Sequence, residues 1–114
     1  MNADQFRQIA LSFPEACEGE HMGHPDFRVG GKIFATLGHP DARSGVVMLE
    51  PEEQKTLLRE HPKVFAPAKG VWGKRGSTHV QLELANAPLV REALWSAWLK
   101  RAPKQLIAQQ NEEL

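Results

Sequence analysis

"EGEHMGHPDFRVGGKIFATLG", residues 18 to 38, is the stretch on which the fold turns. Gly30-Gly31 sits between two runs of strand-forming residues, and both glycines can adopt the positive φ that a two-residue hairpin turn requires. A hairpin closed there sets Phe27 opposite Phe34. Apolar residues fall on both parities of the second run, Phe34 against Ile33, Ala35 and Leu37, which predicts an inner strand covered on both sides. "GVVML" (45–49) adds a short, continuously apolar strand.

Helices flank this region. "NADQFRQIALSF" (2–13) has Asn2 as N-cap and Gln5 three residues later, with Phe6, Ile9, Ala10 and Phe13 on one core-facing stripe. "EPEEQKTLLREH" (50–61) has Pro51 at the first helical position and Glu52 and Glu53 at the positive end of the dipole. Its core face is Gln54, Leu57, Leu58 and His61. "PKVFAPAKG" (62–70), broken by Pro62 and Pro67, reads as a loop or single turn. In "GVWGKRGSTHVQLEL" (70–84) a second hairpin is expected about Arg75-Gly76-Ser77. It leads into a half-buried strand where Val80, Leu82 and Leu84 alternate with His79, Gln81 and Glu83. "APLVREALWSAWLKRA" (87–102) is a helix burying Val90, Leu94, Ala97 and Trp98. Trp95 lies at its margin and Leu99 on the far side, to be covered by the tail "PKQLIAQQNEEL" (103–114), as an extension or short helix, or by a dimer contact. The order α, three or four strands, α, two strands, α, joined mainly by hairpins, predicts an α+β fold: an antiparallel sheet with helices packed mainly on one face.

The 114 residues suit one domain spanning 1–114. A 41% apolar and 25% charged composition is ordinary for a globular chain. Cys17 is the only cysteine, so no intramolecular disulfide forms. The N-terminus lacks a signal-peptide pattern and no run approaches the roughly 18 apolar residues of a membrane span, so a cytoplasmic protein is expected. The net charge of zero hides an asymmetry. Residues 1–60 hold ten acidic and six basic side chains, and residues 61–114 hold four acidic and eight basic. Such segregation, if kept in space, favours an anionic partner.

Catalytic and cofactor chemistry find little footing. Cys17 has Glu15, Glu18 and Glu20 as neighbours, whereas a reactive thiol needs electropositive surroundings. "GGKI" (30–33) lacks the spacing and terminal hydroxyl of a phosphate-binding loop. His21, His24 and Asp26 are potential metal ligands, but three or four must converge at about 2 Å; surface histidines are the simpler reading. Glu52-Glu53 answer the helix dipole and Glu112-Glu113 a solvated tail. No enzymatic activity, metal or cofactor is expected.

The basic segment 70–76 is the better candidate. A two-residue turn there would put Val71 on the face of Val80 and Leu82, and Trp72 outward with His79 and Gln81. Lys74 beside them and Arg75 near the tip would then suit phosphate contact. A three-residue loop would instead bury Trp72. Lys100, Arg101 and Lys104 form a second basic cluster, which the helix C-terminal dipole alone could explain at about 0.3–1 kcal/mol each.

"GHPDFRVGGKIFATL", "VVMLEPEEQKTLL", "HPKVFAPA", "WGKRGSTHVQLEL" and "ALWSAWLKRAPKQL" together resemble the MmcQ/YjbR family of small bacterial proteins, from about Phe6 to Leu106. The resemblance implies a CyaY-like (frataxin-like) fold and a non-enzymatic, "double wing" DNA-binding role. It points to Lys69, Trp72, Lys74 and Arg75 from one hairpin and Arg28 and Lys32 from the other. The iron binding of frataxin-like proteins does not carry over, because Asp4 is the only acid before Glu15 and Arg7 offsets it. The leading expectation is weak, backbone-directed binding of duplex DNA. The alternative is a protein-interaction module, or homodimer, using Trp72, Trp95 and Leu99. A small-ligand pocket under the 62–70 loop is a third.

Overall fold

The Asn2 cap forms as the spacing demands: Asn2 Oδ1 accepts from the Gln5 N–H and Gln5 Oε1 from the Asn2 N–H, both at 2.9 Å. The helix it opens, α1 (Ala3–Leu11), buries Phe6, Ile9 and Ala10. In the computed structural model, which describes residues 1–112, α1 precedes strands β1 (Cys17–His21), β2 (His24–Val29), β3 (Lys32–Leu37) and β4 (Ser44–Met48). Then come α2 (Pro51–Glu60), β5 (Phe65–Pro67), α3 (Gly70–Lys74), β6 (Ser77–Gln81), a 3-10 turn at Leu82–Leu84, α4 (Ala87–Arg101) and α5 (Lys104–Glu112). The six strands form one sheet in the order β1-β2-β3-β4-β6-β5, every pair antiparallel.

Gly30 and Gly31 take φ of +58° and +78°, and the hairpin closes there with Val29 opposite Lys32. The Phe27–Phe34 pairing does not form. A bulge between Phe27 and Arg28 shifts the register so that Phe27 faces Ala35. Phe34 is the extra, unpaired residue of that bulge, and it joins the core fully buried beside Ala35, which strict alternation would not allow.

Register assigns the two faces. Phe27, Ala35, Val47 and Thr78 form one row across the sheet, all fully buried. Asp26, Thr36, Val46 and His79 form the next row, pointing the other way by strand alternation. The first row meets α1, α2 and α4: Phe6 packs 6.1 Å from Phe27 between ring centres, and Gln54 of α2 reaches the Thr78 hydroxyl. Helices on one face of an antiparallel sheet is the expected α+β architecture.

The second half departs from expectation at three places. There is no hairpin at Arg75-Gly76-Ser77: the connection from β5 to β6 coils into α3, and β5 forms where a loop was expected. The alternation at Val80, Leu82 and Leu84 breaks after Gln81, leaving Leu82 buried and Leu84 exposed. The tail takes the helical one of its two expected forms, with Leu106 buried in the core cluster; Glu113 and Leu114, at its end, lie outside the described residues. Trp98, wholly inaccessible, donates its Nε1–H to the Pro14 carbonyl at 3.0 Å. Trp95 stacks on it at 4.8 Å and packs 5.5 Å from Phe13. Trp95 is thus engaged by Phe13, just beyond α1. Among the described residues no helix is long and apolar enough to cross a membrane.

Candidate anion-binding cleft

The sequence "WGKRG" (72–76) folds as it does because its glycines touch backbone. A Cβ on Gly73 would stand 1.9 Å from the Ala68 carbonyl oxygen, and one on Gly76 would stand 1.7 Å from that of Leu49. Gly76 also holds φ at +111°, outside the reach of ordinary side chains. Around them the polar groups interlock. The Leu49 N–H donates to the Gly76 carbonyl at 3.0 Å. Buried Gln54 donates from Nε2 to Gly73 O (2.9 Å), Ser77 O (3.2 Å) and Thr78 Oγ1 (3.1 Å). Lys100 Nζ, at the end of α4, donates to Leu49 O (2.7 Å) and Arg75 O (3.1 Å). Five residues of α3 are thereby seated on α2, α4 and β4, and the side chains of Trp72, Lys74 and Arg75 are left in solvent, Trp72 at 64% exposure.

These side chains wall a cleft of about 920 Å³ over the helix-free face of the sheet. Ile33, Thr36, Met48 and Ser77 lie beneath it, Gly31 and Lys32 come from the tip of the β2–β3 hairpin, and Lys100 and Arg101 close the α4 side. Five cations therefore line one recess: Lys32, Lys74, Arg75, Lys100 and Arg101. Among the described residues Glu50 is the one carboxylate lining it. Among the described residues none of the five lies in an ion pair. Burial holds the Lys100 ammonium below its ordinary pKa, with Glu50 opposing the shift and Arg101 adding to it. Arg101 Nε is buried without a hydrogen-bond partner among the described residues.

A second polar cluster borders the cleft at His21. Asp26, with no accessible surface, accepts from Arg28 Nε at 2.7 Å and Nη2 at 2.9 Å and pairs with His21 Nδ1 at 2.8 Å. The Arg28 guanidinium keeps the Asp26 carboxyl below its usual range despite burial, and His21 assists. Arg28 is thus committed to a buried carboxylate and not a free cation of the hairpin.

Of the residues singled out in the sequence, Lys32, Trp72, Lys74, Arg75, Lys100 and Arg101 converge on the cleft, whereas Arg28, Lys69, His79 and Lys104 do not line it. Lys69 caps the start of α3 and is exposed, as is Lys104 at the start of α5. His79 is half-buried on the open face, 6.2 Å from His39, and its pKa is lowered by burial and then by His39 and Lys69. Trp72 is exposed, as the outward reading expected, but on a helix and not on the strand face of His79 and Gln81. His24 neighbours His39 at 5.8 Å, so the suggested ligands His21, His24 and Asp26 do not act as one set. Leu99 lines a separate, shallower recess of about 360 Å³. Trp95 is half-buried against Trp98 and Phe13, whereas Trp72 and Leu99 are exposed and line different recesses. Gln54 and Asp26 are the residues whose part was missed. An amide on the core face of an otherwise apolar helix was the signal for the first. The second was a carboxylate two residues before an arginine on one strand face.

A family model described as YjbR matches residues 11–102. Among solved structures, the chain is similar to the Deinococcus radiodurans protein DR2400, whose crystal structure is described with the domain DUF419. The TM-score is 0.73 at 21% identity, covering 87% of this chain and 77% of that one. At that identity the likeness is one of fold. No curated protein matches the chain.

Proposed function

The chain belongs to the YjbR family, and from that premise we propose that it is a non-enzymatic, cytoplasmic DNA-binding protein that holds the phosphate backbone in the cationic cleft. The observation that carries this reading is the convergence of Lys32, Lys74, Arg75, Lys100 and Arg101, drawn from three separate parts of the chain, into one recess lined, among the described residues, by a single carboxylate. Phosphates meeting these side chains release condensed counterions, which is the main driving force of sequence-independent binding. One wing is the β2–β3 hairpin tip carrying Lys32; the other is the end of α3 carrying Lys74 and Arg75. Lys100 is occupied by two carbonyls, which leaves four cations with free ends and weak binding as the outcome. The protein-docking reading has less support, because Trp95 is committed to Trp98 and Phe13.

Titration of labelled DNA across salt concentrations tests the proposal. Four phosphate contacts give a slope of log K against log[salt] near about −3.6 on a duplex. Lys74→Glu/Arg75→Glu should abolish binding at moderate salt without changing the melting temperature, as both side chains are exposed. A slope near zero, or full affinity in the double variant, refutes the cleft as the binding site.

A further inference from the structure

Resting on the cationic cleft just described, we infer that its nucleic-acid ligand is single-stranded, with Trp72 as the platform on which one base stacks. The first reason is shape. The cations border a recess: Lys32, Lys74 and Arg75 stand on its exposed rim, and Lys100 and Arg101 are partly buried in its wall. Proteins that read a duplex push a helix, ribbon or wedge into a groove, about 12 Å wide on the major side and about 6 Å on the minor. Here the element between the two basic walls is an open sheet surface, set back. A single strand is thin and flexible enough to enter, and about 920 Å³ lies at the upper end of pockets that enclose a small molecule, enough for a short run of nucleotides.

The second reason is Trp72. It is 64% exposed, yet its backbone is fixed by the Gly73 contact with Ala68 and by the Gln54 hydrogen bond to Gly73 O. An exposed indole on a rigid mount loses little entropy when a flat partner covers it. Lys74 and Arg75 follow two and three positions after Trp72 and line the same cleft, so a base on the indole keeps its phosphate within reach of a cation. That pairing of aromatic face and cation track is what binds single strands without sequence preference. In a duplex the base faces are already stacked on each other, and the indole would find none.

The experiment measures anisotropy of a labelled oligo(dT) of about ten nucleotides, a strand of equal length with abasic sugars, and a duplex. Each is titrated with the parent protein, Trp72→Ala, Trp72→Phe and Lys74→Glu/Arg75→Glu. The expected result is an oligo(dT) affinity lowered about 5- to 150-fold by Trp72→Ala and largely kept by Trp72→Phe. Affinity for the abasic strand and the duplex should not respond to either. The salt slope on oligo(dT) should be near about −2.8, the single-strand value for four contacts. Equal parental affinity for oligo(dT) and the abasic strand, or a Trp72→Ala loss on the duplex as large as on oligo(dT), overturns the inference while leaving the cleft as a DNA site. The latter result would make Trp72 a groove wedge. Unchanged affinity of all three ligands for Lys74→Glu/Arg75→Glu overturns the cleft reading itself, and this inference with it.

Discussion

Replacing Gln54 by leucine removes the amide that seats α3 while keeping the side chain's bulk in its buried position. The amide carries two protons and faces three acceptors, Gly73 O, Ser77 O and Thr78 Oγ1, so two hydrogen bonds are made at any moment. None of the three is orphaned by the change. Gly73 O keeps the Gly76 N–H at 3.1 Å, Ser77 O keeps the Ala68 N–H at 2.9 Å, and Thr78 still donates to Gly76 O at 2.8 Å. The loss is therefore two net hydrogen bonds without a stranded-acceptor penalty, about 2 kcal/mol. Unfolding entropy for a chain of 114 residues is roughly 0.24 kcal/mol per kelvin near 60 °C, so the expected drop in melting temperature is about 8 °C. A thermal melt by circular dichroism measures it, and amide exchange at Arg75 and Gly76 should quicken because α3 is the element released. A Gln54→Leu melt within about 2 °C of the parent, with unchanged exchange at those amides, would refute the view that this side chain holds the cleft wall in place.

Three further changes follow from the same geometry. Gly76→Ala should cost more than about 4 kcal/mol or prevent folding, because its new methyl meets the Leu49 carbonyl and the backbone holds a positive φ; soluble protein with a parental urea midpoint would contradict this. Asp26→Asn should lower stability by roughly 2 kcal/mol at neutral pH, the modest end for charged hydrogen bonds because Arg28 and His21 both reach solvent. Since the folded Asp26 pKa lies below its ordinary value, its contribution is complete above about pH 3.9 and fades as pH falls through the folded pKa; urea titrations of Asp26→Asn should lack that acid-side loss. His79 has a depressed pKa because burial disfavours its cation, so no charging penalty falls on the fold above about pH 6.5 and destabilisation grows as pH falls below it. His79→Asn should flatten stability in that window, and a profile as steep as the parent's would count against the burial argument.

The first half of the fold was legible because its signals are local. A capping box, a Gly-Gly turn and a proline at a helix start each act over four or five residues, and α1, the β2–β3 hairpin and α2 form where those signals lie. The register error at Phe34 has a physical origin: a bulge changes parity without changing composition, so an alternation count cannot detect it. The segment 62–76 was misread for a related reason. Gly70, Gly73 and Gly76 look like turn residues in sequence, but Gly73 and Gly76 are required by contacts with Ala68 and Leu49, the second lying far back in the chain. Close approach of backbone to backbone is a tertiary demand that favours the same residue as a turn does.

That distinction also explains why counting basic residues overstates the site. Lys100 was accountable by the helix dipole alone, and in the structure its ammonium serves the carbonyls of Leu49 and Arg75, bracing the wall from behind. Arg28 is bound to Asp26. Each is a cation whose charge is already answered within the protein, and neither can displace a phosphate counterion at full effect. The cations with free ends, Lys32, Lys74, Arg75 and Arg101, are those whose backbones are held by something else: a hairpin turn for the first, the Gln54 and Lys100 braces for the next two, the end of α4 for the last. If the cleft holds DNA as proposed, this division of labour sets the contact number near four, and with it the salt slope. Removing a brace should weaken binding by misplacing the free cations while leaving that slope nearly intact, whereas removing a free cation should lower the slope itself by about 0.7–0.9.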